Sequence, residues 1–144
     1  MVYTHYMSYK KVASDIAISK ILDEIKKLLE INDLIKLIRS EDLNIVPIFN
    51  KNVILFNGID QFDSDIFLFD FTEPTEFTFC KTNRKDYDII VSLVLLSLSN
   101  NIQEFTFSSD GTLEDWTIPI YIYEKYIRPY ERNDIKNNLI CSEN

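Results

Sequence analysis

The sequence predicts an α+β fold of two layers, with an N-terminal helix, a mixed sheet of four to five strands and a C-terminal helix. The spacing of the hydrophobic residues carries this prediction. They recur every three or four residues, as in a helix, before position 40 and after Lys81, and every second residue, as in a strand, between Leu43 and Cys80. The chain has 144 residues, of which 46% are hydrophobic, so it can bury one core without disulfides or a structural metal. No linker or repeat divides it, and we predict a single domain over residues 1–130 and a loosely ordered tail over 131–144.

The first forty residues favour a helix that begins at about Asp15 and ends at about Ile31. Apolar residues recur there at intervals of three or four, with charged residues between them. Residues 32–38 either form a second short helix behind cap-type residues or continue the first one. Residues 1–11 are predicted to be a mobile terminus.

The middle of the chain is rich in β-branched and aromatic residues, which is typical of strands. We predict four strands separated by turn signals such as Asn57-Gly58, and an antiparallel meander is the simplest topology for them. These strands span residues 43–49, 53–56, 66–71 and 76–80. Phenylalanines alternate in the last two strands, so we expect them to share one sheet face that the helices cover. The set is Phe67, Phe69, Phe71, Phe77 and Phe79.

The last part of the chain predicts a βαβ unit. Residues 85–100 favour a helix that is apolar on most sides, and a short strand follows over 104–108. A crossover of this length makes the strands over 76–80 and 104–108 parallel or nearly so. After a turn, a final helix is predicted from Thr117 to about Ile127, with a proline near its first position.

Acidic residues are concentrated in the predicted meander. The net charge of the chain is −8, and residues 41–80 hold eight acidic residues against a single basic one. This charge makes binding to nucleic-acid phosphates unfavourable. It favours contact with a basic protein, although the same acids would also serve to keep a sheet edge soluble. The predicted partner-binding residues are Asp60, Asp63, Asp65 and Asp70.

A basic island follows the strand over 76–80. In a βαβ unit this loop shares the carboxyl edge of the sheet with the end of the next strand, so the two loops are expected to be neighbours. Basic side chains and free N–H groups at a helix start suit an anionic ligand. The structural alternative is that these bases pair with Asp86, Asp88 and Asp110. The predicted ligand-binding residues are Lys81, Arg84, Lys85, Ser109 and Asp110.

Cysteine and histidine are too few for most metal and nucleophile sites. The chain has 2 Cys and one His, and His5 lies in the predicted mobile terminus, so we expect no zinc site and no histidine-activated nucleophile. The acids at 60–65 lack the glycine and glutamate spacing of a calcium loop. We therefore predict no bound metal and no cofactor, and we favour a protein that is not an enzyme.

No segment predicts export or membrane insertion. Residues 1–11 lack the apolar core of a signal peptide, and the longest apolar run, 89–98, is about half the roughly 20 residues that a membrane-spanning helix needs. Cys80 and Cys141 are then expected to be free thiols in a reducing compartment. These features predict a cytoplasmic protein.

Four short motifs resemble a stretch shared by small uncharacterised proteins of phages and mobile elements. The motifs are Phe79-Cys80-Lys81-Thr82, Lys85-x-Tyr87-Asp88, Ser108-Ser109-Asp110-Gly111 and Asp115-Trp116, and the resemblance covers residues 76–127. Members usually have Lys-Pro-Tyr-Asp where this chain has Lys85-Asp86-Tyr87-Asp88, so the helix start differs. The resemblance implies a mobile-element origin, with the host cytoplasm as its location, and supplies no activity.

Together these patterns predict a non-enzymatic, phage-type accessory protein that binds a host or phage protein through its acidic surface. The alternative is a small module that binds a nucleotide or another small ligand through the loops at 81–85 and 108–111. The sequence does not fix the oligomeric state.

Overall fold

A computed structural model gives the fold and describes residues 2–31, 34–38, 46–59 and 64–132. The described residues form three helices and six strands, with short 3-10 helices at Leu34–Leu37 and Leu113–Trp116. In chain order the elements are β1 (Thr4–Tyr9), α1 (Asp15–Leu29), β2 (Ile48–Phe49), β3 (Val53–Phe56), β4 (Phe67–Asp70), β5 (Thr75–Lys81), α2 (Asp88–Asn101), β6 (Phe105–Ser109) and α3 (Thr117–Tyr126). The predicted α+β class is confirmed. The predicted tail lies outside the described residues from position 133 onward.

The strands form two antiparallel sheets of three strands each, where the sequence predicted one mixed sheet. The first has the order β5-β1-β6 and the second the order β2-β3-β4. Because β5 and β6 are both antiparallel to β1, they run parallel to each other, as the predicted βαβ unit requires. They are not neighbours, however, because β1 lies between them.

Strand β1 occupies the segment that the sequence predicted to be a mobile terminus, and that prediction is wrong. Its inward side chains His5, Met7 and Tyr9 are buried, while Tyr6 and Ser8 on the other face are half-exposed. The alternation was present in the sequence, but its inward residues include a histidine and a tyrosine. Two neighbouring strands satisfy the backbone of β1, and both lie more than sixty residues further along the chain.

Helix α2 is the centre of the core. Its residues 90–99 are all buried, and a helix of that kind is stable only when it is covered all round. Helices α1 and α3 pack against it, and so does β6. Helix α1 is amphipathic and begins at the predicted residue, where the Ser14 hydroxyl accepts a hydrogen bond from the Ala17 N–H at 3.1 Å.

A polar cluster ties the three helices to the segment that follows α3. Glu24 of α1 is buried and accepts hydrogen bonds from Ser97 Oγ at 2.8 Å and Tyr123 OH at 2.6 Å. Arg128 donates to the second Glu24 oxygen at 3.3 Å. Arg132 donates to the backbone oxygens of Ser99 and Ile102 at the end of α2. A carboxylate this buried is tolerated because each oxygen has a donor.

The alternating phenylalanines do not share one covered face. Phe67, Phe69 and Phe71 are buried, as predicted, but Phe77 and Phe79 are exposed. The reason is that β4 and β5 belong to different sheets. The inward residue of β5 near its end is Cys80, which puts Phe79 on the outer face of the β5-β1-β6 sheet.

Candidate functional site

The two predicted ligand loops meet the beginning of β1 from opposite sides. The Thr82 and Asn83 N–H groups donate to the Tyr3 oxygen at 3.0 and 3.1 Å. On the other side, the Asp110 N–H donates to the Thr4 oxygen at 3.0 Å, and Asp110 Oδ2 accepts from the Thr4 N–H at 3.0 Å. The loops therefore lie at the same end of the sheet, where β5 and β6 finish, as predicted, and the start of β1 lies between them.

Arg84 forms an ion pair with Asp115, and not with Asp86, Asp88 or Asp110 as the structural alternative expected. Its guanidinium carbon also lies 3.9 Å above the ring of Tyr3. The hydrogen bond from Arg84 holds the pKa of the Asp115 carboxyl below its usual value. Asn83 and Arg84 have φ of 53° and 59°, a left-handed conformation that is uncommon for residues other than glycine.

Both glycines of the chain allow close approaches around this edge. A Cβ atom at Gly111 would lie 2.6 Å from the Tyr3 hydroxyl oxygen, and one at Gly58 would lie 2.5 Å from the Tyr87 ring. Real Cβ atoms do not come this near to other heavy atoms. A side chain at either position would therefore force the side chain of Tyr3 or Tyr87 to shift.

His5 lies at the centre of a buried polar chain that the sequence did not predict. Its Nδ1 is 2.5 Å from Ser109 Oγ, and its Nε2 is 2.7 Å from Asp88 Oδ1. The same Asp88 oxygen accepts from Thr82 Oγ1 at 2.5 Å. The chain joins β1, the start of α2 and the end of β6. Only the alternation of β1 could have revealed it, and that signal was too weak to identify the strand.

A serine, a histidine and an aspartate in series are the groups of a hydrolase triad, but this set cannot work as one. Ser109 is 3% exposed and His5 is 0% exposed, so no substrate carbonyl can approach the hydroxyl. The serine also contacts Nδ1 and the aspartate Nε2, the reverse of the serine protease arrangement. These hydrogen-bonded side chains therefore have a structural role, which is to hold β1, β6 and the start of α2 together.

Cys80 is equally unsuited to nucleophilic chemistry. Burial, together with the charge of Asp65, raises the pKa of its thiol to about 12. No group of three or more His, Cys, Asp or Glu residues within the described part of the chain is placed to hold a metal ion.

A pocket of about 280 Å³ opens beside the start of α2. It is lined by Ile59, Arg84, Lys85, Asp86 and Tyr87. Two of the five predicted ligand-binding residues therefore line one pocket. The others have different contacts: Ser109 contacts His5, Asp110 holds the start of β1, and the backbone of Lys81 pairs with Asp65.

Two of the four predicted partner-binding acids have local contacts. Asp65 Oδ2 accepts from the Lys81 N–H at 2.8 Å, and the Asp65 backbone oxygen accepts from the Tyr87 hydroxyl. Asp70 Oδ1 accepts from the N–H and the hydroxyl of Thr72 at 2.8 and 2.6 Å. Asp60 and Asp63 lie outside the described residues.

The outer face of the β5-β1-β6 sheet presents three aromatic side chains that the sequence prediction had placed elsewhere. We call Tyr6, Phe77 and Phe79 the aromatic face. The Tyr6 and Phe77 rings stack with centroids 6.0 Å apart, and those of Phe77 and Phe79 are 6.1 Å apart. Phe77 is 62% exposed and Phe79 is 56% exposed. The pairing of β1 with β5 shifts between Met7 and Tyr9, so one extra residue of β5 bulges beside Phe77.

Acidic groups border the aromatic face. Asp110 accepts a hydrogen bond from the Tyr6 hydroxyl at 2.9 Å, and this carboxylate raises the pKa of that hydroxyl. Glu76 is exposed beside Phe77 in β5, and Glu73 is exposed just before that strand. The face is therefore an exposed apolar surface with a negative border.

Comparison of the chain with protein-family models, curated proteins and solved structures finds no match. Within the described residues, no helix has the length and apolar character to cross a bilayer.

Proposed function

We propose that this protein acts by binding another protein, and that the aromatic face is the contact surface. The exposure of Phe77 and Phe79 on a strand of ordered sheet carries this proposal. Exposed aromatic residues that cluster on one face are typical anchors of protein interfaces. Covering one phenylalanine is worth about 1.5–3 kcal/mol, so a partner that covers two gains appreciably.

The acidic border favours a partner with a basic surface. Asp110 and Glu76 flank the aromatic rings, and the chain as a whole has a charge of −8. Complementary charge at the rim of an interface mainly increases the association rate and the specificity. The acidic meander of the sequence prediction would contribute to this long-range field, while the direct contacts lie on β1 and β5.

The resemblance of the four short motifs supports a phage-type accessory protein that acts in the cytoplasm of a host cell. A host or phage protein is then the proposed partner.

Capture from host lysate with matched variants tests the proposal. We expect the unmodified protein to retain a partner that Phe77→Ser and Phe79→Ser each lose, and retention should weaken as salt is added. The matched control is Ile118→Ser, because Ile118 is 65% exposed on α3 and lies outside the aromatic face. The proposal fails if Phe77→Ser and Phe79→Ser retain the same proteins as the control.

The pocket beside α2 supports a second candidate function, binding of a small anion. Arg84 and Lys85 line it, and its volume of about 280 Å³ is just below the usual range of ligand pockets, which begins at about 300 Å³. Titration with ATP and with inorganic phosphate, followed by Trp116 fluorescence, tests this function. A saturable change that Arg84→Ala abolishes would support it, and the absence of any change would exclude both probes.

A further inference from the structure

We propose that the partner binds by adding a strand to the edge of β5 that faces away from β1, and that the added segment is extended and basic. This inference rests on the proposed function and specifies the partner of the aromatic face. It follows from the backbone of β5, whose hydrogen-bonding groups are independent of the side chains already described.

The register shows which backbone groups of β5 point outward. Lys81 accepts from the Asp65 N–H at 2.7 Å and donates to Asp65 Oδ2 at 2.8 Å, so its backbone faces away from β1. In an antiparallel pair, successive residues alternate between bonding to the partner and pointing away from it. Cys80 therefore bonds to His5, and the N–H and C=O of Phe79 point outward.

Phe79 then offers two kinds of contact at one position. Its ring lies on the aromatic face, and no described residue occupies its outward N–H and C=O. Exposed edges with free groups recruit other strands unless the sequence protects them. The protective features here are Pro74, Glu76 and the bulge beside Phe77 on one side and Lys81 on the other, and Phe79 lies between them.

Asp65 shows that this edge accepts a pairing segment. Its N–H donates to the Lys81 oxygen as a residue of an added strand would, and its carboxylate takes the place of that strand's backbone oxygen at the Lys81 N–H. An incoming segment would continue this pairing at Phe79, two residues away. Strand addition of this kind derives its affinity from the backbone and its specificity from alternate side chains.

Charge indicates the chemistry of the segment. The exposed acids Glu73 and Glu76 lie at the open part of the edge, so alternating apolar and basic side chains would suit it. Each copy of this chain has a charge of −8, so two copies repel each other. The basic segment of another protein is therefore the occupant that the charges favour.

The experiment uses a blocked eight-residue peptide of alternating valine and lysine, with a valine–glutamate peptide as its control. We expect the lysine peptide to shift the amide resonance of Phe79 and to slow its hydrogen exchange, with salt-dependent affinity. Phe79→Ala keeps the N–H, whereas Phe79→Pro removes it without breaking a bond to β1. Phe79→Pro should bind the peptide about tenfold more weakly than Phe79→Ala, the effect of one lost hydrogen bond.

Equal binding by the two variants, with unchanged Phe79 exchange, would overturn strand addition while leaving the proposed function intact. Loss of the proposed function would instead show as lysate capture that neither Phe77→Ser nor Phe79→Ser alters. If Phe79→Pro does not fold, the exchange rate of Phe79 in the unmodified protein decides the question. If sedimentation shows a dimer that dissociates in Lys81→Glu or in Phe79→Ala, a second copy is the occupant and the inference is overturned.

Discussion

Strands β4 and β5 both have phenylalanine at alternate positions, but these side chains are buried in β4 and exposed in β5. Phe67 and Phe69 of β4 are enclosed by other aromatic rings, with Phe56 and Tyr9 at centroid distances of 5.1 and 4.9 Å. Phe79 of β5 faces solvent, while Cys80 beside it is enclosed. The pattern shows which side chains share a face, but other parts of the chain decide whether that face is covered.

The contrast also separates residues that build the fold from residues that are available for contact. Enclosed rings stabilise the folded state directly, because their area leaves water on folding. The exposed rings of β5 contribute little of this kind, and their area remains for a partner. Substitutions on the two sides of this contrast should therefore have different consequences, and four predictions measure the difference.

The largest expected difference is in thiol reactivity at adjacent positions of β5. In a Cys141→Ser background, Cys80 of the native protein should react with iodoacetamide at pH 8 at least about a thousandfold more slowly than a cysteine introduced by Phe79→Cys. Burial of Cys80 and the charge of Asp65 raise its thiol pKa to about 12, whereas an exposed thiol has a pKa of about 8.5. Mass spectrometry of timed samples gives both rates. Comparable rates would show that β5 opens readily and that its two faces are not distinct.

The next largest effect is on stability. Phe67→Ala should lower the free energy of unfolding by about 3–5 kcal/mol, because it leaves a cavity where the Phe67 ring stacks on Phe56. Phe79→Ala is the matched control and should change the same quantity by less than about 0.5 kcal/mol. Urea denaturation followed by circular dichroism measures both. Equal losses would mean that the ring of Phe79 is covered in solution.

A smaller effect is expected at the buried polar chain behind the aromatic face. Asp88→Asn removes the charge that both His5 and Thr82 contact, and should cost about 1–3 kcal/mol of unfolding free energy. Asp86→Asn, at an exposed neighbouring carboxylate, should cost less than about 0.5 kcal/mol. A neutral result for Asp88→Asn would show that the chain through His5 does not hold the sheet to α2.

The smallest effect concerns the exposed ion pair at the sheet edge. The folded-state pKa of Asp115 is lowered by the hydrogen bond from Arg84, so the pair stabilises the fold above the unfolded pKa of about 3.9 and loses this contribution as the pH falls through the folded value. The contribution should be under about 1 kcal/mol, since the pair is partly exposed.

Urea denaturation at pH 6 and below pH 4 tests this prediction. Asp115→Asn should reduce the loss of stability on acidification, and Glu114→Gln, at an exposed neighbour, should not. An acid dependence that is the same in Asp115→Asn and in the unmodified protein would contradict it.

Elements whose pattern is local could be predicted from the sequence. The start of α1 at Asp15 and the bounds of β3 agree with prediction, because amphipathic periodicity and flanking turn residues lie within a few positions. Arg84 and Lys85 were correctly placed near the start of α2, where a basic loop precedes an apolar helix.

The remainder depended on contacts that no local window contains. His5 contacts Asp88 and Ser109, which lie 83 and 104 residues further along the chain. Without those partners, the sequence of β1 is typical of a polar terminus. The exposure of Phe79 could not be predicted either, because it depends on the position of β1 between β5 and β6. The partner-binding prediction for Asp60 and Asp63 lies outside the described residues and stays a prediction.

The central position of β1 has a consequence for how the protein is made. This strand is translated before its neighbours β5 and β6, which follow only after more than sixty residues of further synthesis. At a translation rate of about 5–20 residues per second, it waits several seconds with both edges unpaired. Its pairings are all distant in sequence, which slows folding in general. A bulky fusion directly before Thr4 would therefore act on the last step of assembly, and we expect it to reduce the yield of folded protein more than the same fusion placed after Arg132.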